Sequence, residues 1–81
     1  MNSNVISSPA PGIFWHRRSP EAEPFLAPGQ EVRQGQPIGV IEVMKMFVEV
    51  NADRDGVFKA YAVDNGASVP MGAALVELEE A

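Results

Sequence analysis

The sequence predicts an all-β domain, a sandwich or barrel assembled from two similar halves. Three observations carry this. Gly and Pro recur at short intervals along the 81 residues, so no long window keeps the 3.6-residue apolar period of a helix. Short runs rich in β-branched and aromatic residues lie between those breaks, at the even spacing of an all-β fold. A set of residues in the first half also recurs at a fixed offset in the second.

The predicted strands, in order, are Gly12-Ile13-Phe14-Trp15, Ile38 to Val43, Phe47 to Val50, Val57 to Val63 and Leu75 to Leu78. Asp55-Gly56 and Asn65-Gly66 are read as tight turns, because Gly tolerates positive φ and the Asx side chain bonds its own backbone. The repeat pairs Gly29, Val32, Gly35, Ile38, Ile41 and Glu42 with Gly66, Val69, Gly72, Leu75, Leu78 and Glu79, each 37 residues later. Gly12-Ile13-Phe14 matches Gly56-Val57-Phe58 at an offset of 44, and Pro9 falls opposite Asp53. The two offsets differ by seven residues, which must be extra in the first half, between Phe14 and Gly29. The polar, Pro-bounded stretch from Arg17 to Pro24 supplies them as a protruding loop.

The junction between the halves holds a parity change. Ile41 and Val43 are apolar around Glu42, whereas Val48 and Val50 are apolar around Glu49. Side chains alternate strictly along a strand, so the core face passes from odd to even positions only through a turn, here within Met44-Lys45-Met46-Phe47. By this parity Val43, Val48 and Val50 point inward. A tip reading Met-Lys-Met lacks the Gly, Asn, Asp or Pro that plain turns favour. Exposed Met suits a surface that must fit a partner, and a lysine amine is a nucleophile once deprotonated. Lys45 is thus placed for acylation by another enzyme, while Lys59 reads as a solvated strand side chain.

Composition excludes other classes. A net charge of −5 opposes binding to nucleic acid or to an anionic membrane surface. There is no cysteine for a disulfide, a thiolate metal site or a thiol nucleophile. The N-terminus lacks a signal peptide's basic start and apolar stretch, and no apolar run approaches a membrane span, so a soluble cytoplasmic protein is expected. His16 reads as an ordinary surface side chain, and Phe14 and Trp15 as packing at the base of the extra loop. Glu77, Glu79 and Glu80 form an acidic end without a metal ligand set, and no nucleophile, base and orienting group can be assembled.

Glu42-Val43-Met44-Lys45-Met46 resembles the Glu-Ala-Met-Lys-Met biotinylation motif of biotin carboxyl carrier proteins, and the resemblance runs from Ile6 to Leu78. Ser19-Pro20-Glu21-Ala22-Glu23-Pro24-Phe25 is similar to the "thumb" of the bacterial acetyl-CoA carboxylase carriers. The resemblance implies a flattened β-barrel (a barrel-sandwich hybrid) of two four-stranded antiparallel sheets with quasi-twofold symmetry, a thumb at about 17–24 and a biotinylation hairpin at about 44–47, in one domain over 1–81. It implies biotin held covalently on Lys45, with Met44, Met46 and Glu42 around it and Arg17, Ser19 and Pro20 in the thumb. It further implies a non-catalytic carrier that serves biotin protein ligase, biotin carboxylase and a carboxyltransferase, with acetyl-CoA as acceptor for fatty acid synthesis. Val43 stands where the family usually has Ala. Arg17 replaces a threonine linked to biotin contact, and Arg18 replaces a proline, which leaves the thumb more mobile. The start at Met1 favours a standalone subunit over an excised domain. A carrier for a carboxylase acting on urea or another small amide, a lipoyl carrier and an unmodified interaction domain are the alternative readings.

Overall fold

Eight strands, all joined antiparallel, make up the regular structure of residues 4–80, the part described by the computed structural model. Met1–Ser3 and Ala81, at the limits of the predicted 1–81 domain, lie outside the described residues. The strands are β1 Val5–Ser7, β2 Gly12–Trp15, β3 Glu31–Val32, β4 Pro37–Val43, β5 Met46–Asn51, β6 Gly56–Tyr61, β7 Ala67–Val69 and β8 Ala74–Glu79. One four-stranded sheet runs β1-β8-β6-β3 and the other β5-β4-β2-β7. Adding four to each strand number of the first sheet, counted cyclically, gives the second sheet. The repeat in the sequence is therefore a twofold relation between sheets, and the outline is flattened, with extents of 35 × 28 × 20 Å.

Hydrogen bonds outside the ladders repeat with the sequence offsets. Gly29 N–H donates to Phe58 O at 2.9 Å, and Gly66 N–H donates to Phe14 O at 2.7 Å. Gly35 N–H bonds Ala52 O at 2.8 Å, and Gly72 N–H bonds Ser8 O at 2.9 Å. All four glycines have φ between 84° and 90°, a conformation that a side chain disfavours, which is why the repeat is written in Gly. Gly56 differs from its expected role. It is the buried first residue of β6, not a positive-φ turn residue, and a Cβ there would lie 3.1 Å from Glu79 O and Leu78. Chain reversal happens just before it, where β5 passes into the other sheet.

Side chains from both sheets meet in one core. Phe14, Ile6, Ile38, Ile41, Leu75, Val32 and Val76 are its largest fully buried members. Matched repeat positions meet there: Ile38 and Ile41 with Leu75 and Leu78, Val32 with Val69, Phe14 with Phe58. Of the strands expected inward at the junction, Val50 is 3% exposed and Val43 packs against the core, but Val48 is 47% exposed. Val48 lies on β5, an edge strand paired only with β4, towards the end that projects beyond the core.

Candidate functional site

β4 and β5 form the longest ladder of the molecule, and it ends in the tightest turn. Ile41 pairs with Val48, Glu42 with Phe47 and Val43 with Met46, leaving Met44 and Lys45 as a two-residue loop. The odd-to-even change in parity is this loop. Two-residue hairpins that match strand twist need positive φ at both central residues, and Met44 (φ 50°) and Lys45 (φ 67°) both adopt it. Such turns favour Asn-Gly; here two side-chain-bearing residues occupy the left-handed region instead. Met44 is 90% exposed, Met46 67% and Phe47 66%, so the lysine projects from a rigid ladder amid apolar surface. Lys59 lies exposed on β6, well away in sequence and in the opposite sheet.

A pocket of about 320 Å³ opens beside this tip. Its floor is the outer face of the β5-β4-β2-β7 sheet. Trp15 pairs with Val40, and Glu42 pairs with Phe47, one rung below the Val43–Met46 rung that borders the turn. Trp15 Nε1 donates to Glu42 Oε1 at 3.3 Å. The wall is the loop after β2, with Arg17, Arg18, Ser19 and Pro20 lining the space and Asn65 at the loop's foot, where its Oδ1 accepts from His16 N–H at 2.6 Å. Arg17 and Pro24 pair as an antiparallel bridge that pinches the loop, and Arg17 Nη1 donates to Ala22 O at 3.1 Å. Ala22 N–H donates to Ser19 O at 3.0 Å, closing a turn around Pro20. Arg18 Nη2 donates to Glu49 Oε2 on β5 at 2.8 Å, and its guanidinium lies 5.1 Å from the Phe25 ring centre. The position read as freer for lack of proline thus carries the side chain that ties this loop to the hairpin.

Tip, pocket and loop sit on a β scaffold that known proteins share. Residues 4–78 match the sequence profile of the biotin/lipoyl family, described as "Biotin-requiring enzyme". The chain belongs to the biotin/lipoyl family. This biotin/lipoyl domain is 34% identical over 79 residues to the biotin carboxyl carrier protein of acetyl-CoA carboxylase of Haemophilus influenzae, covering 98% of this chain and 51% of that protein. It is 36% identical over 76 residues to the protein of the same description from Streptococcus pyogenes, covering 94% and 46%. The chain spans about half the length of these curated relatives. Among solved structures it resembles Kluyveromyces lactis urea carboxylase, with TM-score 0.73 and 24% identity over 96% of this chain and 6% of that one. An aspartoacylase family protein of Mesorhizobium loti gives TM-score 0.68 and 23% identity, covering 96% and 23%. These two likenesses show the fold.

Two features of the biotin/lipoyl domain differ from their reading in the sequence. His16 is half-buried at the foot of the loop, not an ordinary surface group. Its ring stacks on Tyr61 at 3.7 Å and 8°, and Nε2 lies 2.8 Å from Val63 O, which makes Nε2 the protonated nitrogen of the neutral ring. Burial pushes its pKa below the ordinary histidine value, with the nearby Arg17 charge adding to the effect and the Val63 bond opposing it. Burial likewise pushes the Tyr61 phenol up to about 12, and its hydroxyl donates to Ile38 O at 2.8 Å. Second, Trp15 does not only pack: it forms part of the pocket floor, with Val40 and Phe47, which no local motif singled out. Among the described residues no group of three or more His, Asp or Glu could hold a metal ion, and no helix is long and apolar enough to cross a membrane.

Proposed function

We propose that this domain carries biotin covalently on Lys45 and shuttles carboxyl groups within a biotin-dependent carboxylase of the acetyl-CoA carboxylase type. The observation that carries the reading is the turn itself. A lysine is held in left-handed backbone at the end of the longest ladder, flanked by exposed methionines, where Asn-Gly would serve folding better. The curated relatives, named as biotin carboxyl carrier proteins of acetyl-CoA carboxylase, supply the cofactor and the acceptor.

The residues present suit the group. An amide bond to the amine would neutralise a charge that makes no ion pair among the described residues. A pocket with an apolar floor of Trp15, Val40 and Phe47 and polar groups at Glu42, Arg17 and Asn65 lies one rung below the tip. Biotin, when attached, supplies a ring nitrogen able to accept and release a carboxyl group. The chain's own residues present and orient: the β4–β5 ladder fixes the tip, Met44 and Met46 offer adaptable contact surface to biotin protein ligase, and Glu42 is held by Trp15. The domain itself contributes tethering between biotin carboxylase and a carboxyltransferase, in the cytoplasm, by raising local concentration at each site. The extra loop of the first half, spanning 17–24, is its thumb.

The test uses protein made with a biotin ligase, a bacterial biotin carboxylase, ATP and labelled bicarbonate. Label is expected on the carrier and then, with a matching carboxyltransferase, on acetyl-CoA. Transfer only to urea or another small amide would replace the acetyl-CoA assignment. A lipoyl mass increment, or no modification at all, would replace the carrier assignment by a lipoyl or unmodified domain.

A further inference from the structure

We propose that Arg18 and Glu49 form a charged clasp that holds the extra loop closed over the outer face of the sheet, making them positioning residues for the pocket beside Lys45. The loop is anchored at its base by the Arg17–Pro24 bridge and by Phe25 N–H donating to His16 O at 2.9 Å. Beyond that base its hydrogen bonds, apart from Arg18 to Glu49, are internal, from Arg17 to Ala22 and from Ala22 to Ser19. Among the described residues, Arg18–Glu49 is the one ion pair that joins the loop to the hairpin.

Geometry puts this pair beside the pocket: Arg18 lines it, and Glu49 lies on the same face of the sheet as its floor. Glu49 pairs with Val40 across the β4–β5 ladder, and alternation places both on the same face as Glu42 and Phe47. Arg18 starts from the wall, passes Phe25 and ends on that face, so the 2.8 Å bond sets how far the wall stands from the floor. With the clasp made, Val40 is buried and Trp15 partly covered, while Phe47 stays exposed; with it broken, more of this apolar floor faces water. Both side chains are partly exposed, at 64% and 40%, so salt screens the attraction and the clasp is weak enough to open. On the carrier reading above, a ring borne on Lys45 meets a formed pocket only in the closed state.

Trp15 is the chain's single tryptophan and lines the pocket, so it reports the state directly. The experiment uses unmodified protein and therefore does not depend on what Lys45 carries. Acrylamide quenching of Trp15 and 15N relaxation of Ser19, Glu21, Ala22 and Glu23 are measured at low and high NaCl for wild type, Arg18→Gln, Glu49→Gln and the swap Arg18→Glu with Glu49→Arg. An exposed pair of this kind shifts the closed-to-open ratio by roughly two- to fivefold. Both single variants are expected to show more quenching, faster loop motion and a lost salt response, at unchanged far-ultraviolet circular dichroism. The swap is expected to restore all three towards wild type. Wild-type behaviour in Glu49→Gln overturns the clasp, since Arg18 would then act through Phe25 alone. A salt response that survives in both single variants overturns it as well.

Discussion

Replacing the tip Met44-Lys45 by Asn-Gly should make the protein more stable while removing its candidate modification site. Both residues sit at positive φ, 50° and 67°. A left-handed conformation costs an ordinary side-chain-bearing residue roughly 1–2 kcal/mol. Asn tolerates that region and Gly adopts it freely, but Gly returns about 0.5–1 kcal/mol through its greater freedom in the unfolded chain. The net expectation is a gain of about 1–2 kcal/mol for the double variant. Met44 is 90% exposed and contributes little packing to lose. For a domain of this size each kcal/mol moves Tm by roughly 4–8 °C. Thermal and urea unfolding of the unmodified proteins measure it, with streptavidin blotting in parallel. A rise in Tm together with abolished labelling is the expected pair. An unchanged or lower Tm would refute the argument that the ladder holds an unfavourable turn for the sake of its lysine.

Val43→Ala should cost about 1 kcal/mol, because the side chain packs against the core but is only half-buried, and biotinylation should persist; urea unfolding and blotting check the two halves of that statement. Exchanging residues 17–24 for a short Gly-containing turn should leave the fold and biotinylation intact, since the Arg17–Pro24 bridge already brings the ends together, but should raise Trp15 quenching and lower carboxyl transfer. His16 gives a pH dependence with a definite sign. Its folded pKa lies below the unfolded value near 6.5, so the unfolded chain takes up the proton first. The stability that neutral His16 contributes is full above about pH 6.5 and falls as pH drops below it. Tm measured from pH 5 to 8 should show this fall in wild type, and His16→Gln should flatten it.

The sequence made the long strands and their symmetry legible because each half repeats its glycines and its inward apolar residues. β2 begins and ends as expected, β4 starts one residue earlier, and β5 and β8 run one residue further at each end. β1, β3 and β7 gave no pattern of their own, being two or three residues long, too short to show alternation. The repeat still paired Val32 with Val69, the buried residues of β3 and β7. β6 stops at Tyr61, short of Val63, where the carbonyl of Val63 turns to the His16 ring. That contact joins residues 47 apart, and no local signal in the sequence announces it. The same holds for the pocket. Lys45 and its methionines form a contiguous motif, whereas Trp15, Val40 and Phe47 become neighbours only through strand pairing. Asp55-Gly56 misled because a glycine can serve close strand approach as well as a turn.

Peptide mapping by mass spectrometry, on protein co-expressed with a biotin ligase, tests the central claim most directly. Lys45 and Lys59 are the chain's two lysines, so the assignment has two candidate side chains. The account predicts one biotinyl group per chain, on the peptide containing Lys45, present in Lys59→Arg and absent from Lys45→Arg. Biotin on Lys59 with Lys45 bare, or a folded wild-type protein that leaves the ligase unmodified, would contradict it.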